Sequence, residues 1–176
     1  MGRHALELGP LDLANNSHQG WHYLWIHRHP RAVEPLKKAI EMDPAFPVAQ
    51  WYLGLAYEQT GALDSAIEQF QNCVRITRQR PSMVALLGHA YAASGRTVEA
   101  NAVLKQLGEA SQRQYVPPYP IAAIHAALGH TDEAFHWLER AYEGRDSWMS
   151  YLGVDSRMDP SRPDPRFAAL LRRMNL

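Results

Sequence analysis

One spacing governs this chain. Gly20, Gly54 and Gly88 stand 34 residues apart, and so do Tyr23, Tyr57 and Tyr91. Ala32, Ala66, Ala100 and Ala134 keep the same step, as do Leu36, Phe70, Leu104 and Leu138. Gly61, Gly95 and Gly129 form a second glycine series, and Pro10 and Pro44 a proline pair. A period of this length, with small, aromatic and glycine positions in fixed phase, describes two short helices joined by a turn. One such unit cannot bury its apolar face by itself, so units stack. The expected fold is all-α: a right-handed solenoid of about four helix–turn–helix repeats.

Counting back seven residues from each first glycine position gives units 13–46, 47–80, 81–114 and 115–148. The second is the most regular. Pro47 suits a first helical position, where its missing N–H has no intrahelical partner. That helix is expected to reach Gln59, with Trp51, Tyr52 and Leu55 on apolar faces. Gly54 permits close approach of the second helix, and Gly61 fits a left-handed C-terminal cap. Asp64 is the expected cap of a second helix running from Ser65 to about Thr77, in which Ala66, Phe70 and Cys73 face the seam between helices.

The third unit repeats the plan: Gly95 stops its first helix, and Glu99, Ala100, Leu104 and Leu107 build its second. The first and fourth units depart from it. His27 stands where a stop glycine is due, and Pro30 opens the second helix of unit one. In unit four the prolines of residues 115–120 are expected to delay the first helix to Ile121. Ala122 replaces the glycine there and His125 the tyrosine.

Ala5 to Pro10 align in phase with Ala39 to Pro44, so residues 5–12 read as the remnant of the second helix of a preceding repeat. A solenoid end normally carries a polar cap. The uncapped half-unit therefore reads as a cut end of a longer chain; a short helix closing the stack is the alternative. At the C-terminal end come a helical turn near Asp146–Leu152 and a proline- and charge-rich loop from Arg157 to Pro165. Phe167, Leu170, Leu171 and Met174 then follow at i, i+3, i+4 and i+7. They predict a capping helix within 149–176, with Arg166, Arg172 and Arg173 in solvent.

With these glycine, tyrosine, alanine and aromatic positions, residues 5–148 resemble the tetratricopeptide-repeat family. The tail, Arg162-Pro-Asp-Pro-Arg-Phe-Ala-Ala-Leu-Leu-Arg-Arg-Met-Asn-Leu176, is similar to the ending of a bacterial group of multidomain regulators. Tyr115-Val-Pro-Pro-Tyr119 and Trp137 to Arg145 share that likeness. In that group a C-terminal repeat array follows a winged-helix DNA-binding domain, a protein kinase or a nucleotide cyclase. The resemblance departs at Pro163, where serine is usual, and it supplies no catalytic residue. It implies a sensory or assembly segment of a larger bacterial regulator. A free-standing adaptor that binds a peptide or helix of a partner is the alternative.

Composition narrows the class. Formal net charge is zero and no Lys/Arg tract stands out, so direct nucleic-acid binding is not expected. The single cysteine, Cys73, fits a reducing compartment, and no apolar run reaches a membrane span. A cytoplasmic protein with no membrane association is the expectation.

Positions 2, 5, 9, 12 and 13 of each unit are expected to line the concave groove that receives a protein or peptide partner, with self-association as the other use of the face. They include Trp21, Leu24 and Trp25 in unit one, Trp51, Leu55 and Glu58 in unit two, His89 in unit three and Tyr119 in unit four. Exposed aromatics on such a face favour an apolar or helical ligand; burial in the core is the competing reading. A carboxylate clamp needs cations, and Ser17, Trp21, Tyr52, Ser82 and Leu86 occupy the equivalent places.

His18 and His22 share a helical face and could hold zinc, but no Glu follows His18 as in a metalloprotease and no cysteine joins them. Solvated or packed histidines are the better account. Cys73 reads as a buried, inert thiol. Glu139 and Glu143 read as a solvated face. No convergent constellation supports catalysis, so no enzyme activity, metal or cofactor is expected; a metal-dependent enzyme on the histidines is a minor alternative.

Overall fold

The computed structural model describes residues 13–26 and 28–176. The remnant expected at 5–12 and the substituted stop at His27 lie outside the described residues. Nine α-helices and two 3-10 helices, without a strand, make up the described residues. They are α1 (Leu13–Trp25), α2 (His29–Met42), α3 (Pro47–Gln59), α4 (Leu63–Ile76), α5 (Pro81–Ala93), α6 (Thr97–Ala110), α7 (Pro118–Ala127), α8 (Thr131–Glu143) and α9 (Pro165–Arg173). Two 3-10 helices, Ser147–Tyr151 and Ser156–Ser161, lie between α8 and α9. The chain divides into two compact units after Met83.

In the N-terminal unit α1 packs on α2 and α3 on α4, and α3 also touches both helices of the preceding pair. The core is built from the in-phase residues: Ala32, Leu36, Ala66 and Phe70 are all fully buried. Each first-series glycine of this unit lies under the bulky residue sixteen positions on. A Cβ at Gly20 would overlap Leu36, and one at Gly54 would come 2.5 Å from Phe70. The close approach of paired helices is what these glycines provide. In the C-terminal unit the relation slips by one residue. Gly88 faces Val103 and Ile124, while Leu104 is only partly buried.

The turns are equally regular. Gly61, Gly95 and Gly129 have φ between 76° and 77°. In each case the next residue's N–H donates back into the helix: Ala62 to Tyr57, Arg96 to Tyr91 and His130 to His125, all at 2.9 Å. This closes the carbonyls that a helix end leaves unpaired. The second helix of each pair then starts at once, two residues before the expected Ser65 in unit two. Asp64 sits in the first turn of α4, whose N-cap is Ala62.

The prolines of residues 117–120 do not delay α7. Pro118 and Pro120 occupy its first turn, where their missing N–H groups cost nothing, and the helix begins at Pro118. The start of α9 also falls in phase. His29, Leu63, Thr97, Thr131 and Pro165 open successive second helices at steps of 34. The capping helix thus stands where the second helix of a fifth repeat belongs.

Two ion pairs record that stacking. Arg166 bridges to Asp132 at 2.9 Å and Arg173 to Glu139 at 2.7 Å, each spanning 34 residues. Arg166 also lies over Phe135 and Arg173 over Tyr142. Arg166, Arg172 and Arg173 are exposed as expected, and two of them are in addition tied to α8, with Glu139 as one of their partners.

Candidate functional site: the inner helices

Trp21 and Trp25 are one turn apart on α1, and their rings meet edge to face with centroids 6.1 Å apart. Trp21 is 38 % exposed and Trp25 partly so. His18 and His22, which complete the i, i+3, i+4, i+7 strip, are exposed. On α3, which lies beside α1, the rings of Trp51 and Tyr52 meet at a tilt of 40° with centroids 4.9 Å apart. Leu55 and Glu58 are partly exposed on the same helix. The N-terminal unit therefore presents partly exposed aromatic and aliphatic side chains from two neighbouring inner helices.

Other expected groove residues do not reach a surface. Leu24 is 9 % exposed and packs with Ala32, Leu36, Leu53 and Ala56 in the core. Ser17 is buried, its hydroxyl donating to the Leu13 carbonyl at 2.9 Å. In the C-terminal unit His89 is 6 % exposed, and Ala85 and Ala92 are buried. Tyr119 is fully buried. Its phase predicted a groove, but the residues after α8 return and cover it.

That covering is the feature sequence reasoning missed. The Tyr119 N–H donates to Asp146 Oδ2 at 3.1 Å and its hydroxyl to Asp155 Oδ2 at 3.0 Å. Asp155 also accepts from the Arg157 side chain, with Nη2 at 2.6 Å, and both ionic groups are buried. Burial works to raise the Asp155 pKa. The Arg157 charge, the hydrogen bonds of Arg157 and the Tyr119 hydroxyl outweigh it and hold the carboxyl below its ordinary value. Tyr119 is pushed well above the usual phenol value, first by burial and then by the Asp155 charge. Met149, Leu152 and Met158 join Tyr119, Ala122, Ala123 and Ala126 in one core. The expected loop thus contains a 3-10 helix whose Arg157, Met158 and Ser161 are buried, while Asp159, Pro160 and Pro163 stay exposed. The signal for it is in the sequence: Asp146, Asp155 and Asp164 each precede a helix and cap it, accepting from the N–H two residues on.

Among the described residues no group of three or more His, Cys, Asp or Glu could hold a metal. None of their helices is long and apolar enough to cross a membrane. Cys73 is buried, and burial pushes its thiol up to about 11.

A family model described as "Tetratricopeptide repeat" matches residues 50–80, most of the α3–α4 pair. The fold is that of tetratricopeptide repeats. Solved structures that share it include two tetratricopeptide-like folds of similar length. One, "Crystal structure of MamA", is 21 % identical with a TM-score of 0.61, over 85 % of this chain and 88 % of that one. The other, "Crystal structure of YrrB: a TPR protein with an unusual peptide-binding site", is 16 % identical with a TM-score of 0.57, over 99 % and 98 %. No curated protein matches the chain.

Proposed function

We propose that this protein is an interaction module in which the inner face of the N-terminal unit receives an apolar peptide or helix of a partner protein. The observation that carries the reading is the pair of aromatic clusters on neighbouring inner helices, Trp21 with Trp25 and Trp51 with Tyr52. Tryptophan and tyrosine offer large contact areas at low entropic cost and dominate binding energy at interfaces. YrrB, which shares the fold, is described as having an unusual peptide-binding site, and this supports the same use of the fold here.

Peptides selected from a display library against the immobilised full chain test this. They should lose affinity for Trp21→Ala and Trp51→Ala proteins whose helical circular dichroism and melting are intact. Retained affinity would remove these residues from the binding face.

We further propose, from the similarity of residues 162–176 to bacterial regulators, that the module is the cytoplasmic sensory or assembly arm of such a protein. Reading the genomic frame upstream of codon 1 tests it. A frame continuous with a DNA-binding, kinase or cyclase domain supports the reading, and a stop codon with a ribosome-binding site leaves a free-standing adaptor.

A further inference from the structure

The fourth repeat departs from its neighbours at one titratable place. Tyr57, Tyr91 and His125 stand at steps of 34. Each closes its inner helix in the same way, its carbonyl accepting at 2.9 Å from the N–H of the residue after the turn glycine. A phenol and an imidazole differ there in one respect: only the imidazole changes charge near neutrality.

His125 is half-buried, and its Nδ1 is sealed from solvent with no hydrogen-bond partner among the described residues. The neutral ring tolerates this, because one of its nitrogens carries no proton. In the imidazolium both nitrogens bear N–H, so Nδ1–H becomes a charged donor with nothing to receive it. The His130 ring adds to the cost. Its centroid lies 5.7 Å from that of His125, and it is the His130 N–H that donates to the His125 carbonyl across the Gly129 turn. His130 is the N-cap residue of α8 and its side chain makes no capping bond.

Glu133, in the first turn of α8, acts the other way, while its neighbour Asp132 is bound to Arg166. The other elements packed on α7 bring no charge to bear on His125. These are α5, which meets Ile124 at Gly88, then α6, and the second 3-10 helix, whose Asp155–Arg157 pair is joined to Tyr119. Burial first, and His130 second, outweigh Glu133 and hold the His125 imidazole below the ordinary histidine value.

We infer that His125 and His130 form a proton-sensitive joint at the α7–α8 turn, through which mild acid weakens the fold. The folded chain takes up the His125 proton less readily than the unfolded chain does. Full stability is therefore present above the unfolded histidine value, about 6.5. It declines as pH falls from there through the folded value. This window lies above that of the carboxylates, so it is separate from the response of Asp155.

Two measurements on the full chain test the joint. The first follows the imidazole Cε1–H resonances through a pH titration, with the His125 signal assigned as the one missing from His125→Tyr. Its midpoint should lie below about 6.5, and His130→Gln, a change at an exposed position, should move it upward. The second compares urea midpoints at about pH 7.5 and about pH 5.5, on either side of the ordinary histidine value. The wild type should lose more stability between them than His125→Tyr, which restores the residue of units two and three. If that variant does not fold, His125→Gln serves for both the assignment and the comparison. A His125 midpoint at or above about 6.5, or one unmoved by His130→Gln, would overturn the inference. So would an acid loss that the variant reproduces in full.

Discussion

Gly54 lies against the Phe70 ring so closely that a methyl group there would stand 2.5 Å from Cε1. Phe70 is fully buried and has nowhere to retreat. Gly54→Ala should destabilise the protein by about 1–3 kcal/mol through overpacking. Urea denaturation should show a lower midpoint, and Phe70→Leu in the same chain should recover part of the loss, because a smaller side chain vacates the ring's edge.

Gly61 presents the opposite case. A Cβ would meet nothing, but φ is +77°. Gly61→Ala should cost about 1 kcal/mol from backbone strain. Gly61→Asn should cost less, since asparagine tolerates that conformation. Thermal melts of the two variants separate strain from packing.

The buried amide of Gln50 donates to the Pro44 carbonyl at 3.2 Å, while its Oε1 finds no hydrogen-bond partner among the described residues. An unsatisfied buried acceptor costs about 1–3 kcal/mol. Gln50→Met keeps the length and removes the orphaned oxygen. It should leave stability unchanged or raise it by about 1 kcal/mol, read from chemical denaturation. A marked loss of stability would show that the bond to Pro44 outweighs the orphaned oxygen.

Asp155 is held below its ordinary pKa in the folded protein. Its contribution is therefore complete above the unfolded value, about 3.9, and is lost as pH falls from there through the folded value. Stability measured from mildly to strongly acidic pH should decline less steeply in Asp155→Asn than in the wild type. Tyr119 has the opposite sign: its raised value predicts stability retained below about pH 10 and lost above it. Tyr119→Phe should remove that alkaline component.

The Cys73 thiol contacts the Pro47 carbonyl and Met83 sulfur inside the N-terminal unit. With its pKa pushed up to about 11, little thiolate exists at neutral pH. Labelling by iodoacetamide at mildly alkaline pH should track global unfolding and be negligible in the native protein.

The helix pairs and their turns were legible in the sequence because they depend on local chemistry repeated at one spacing. Gly61, Gly95 and Gly129 each terminate a helix for the same backbone reason. Ala66 and Phe70 are buried where their phase put them. Local rules also explain where helix starts were misjudged. Pro118 and Pro120 favour a first turn as readily as they oppose a helix interior, and only the packing of α7 selects between the two.

The candidate site was less legible, because exposure at an inner position depends on what else covers it. Trp51 and Tyr119 occupy the same place in their repeats. Trp51 remains partly exposed, whereas Tyr119 is sealed by Asp146 and Asp155, 27 and 36 residues further along. The sequence by itself determined the repeat, the helix pairing and the glycines that make it possible, since those follow from periodic burial and backbone conformation. Only the tertiary structure decided which inner face stays open, because that rests on a non-periodic return of the chain and on two buried carboxylates that find a tyrosine no spacing rule connects to them.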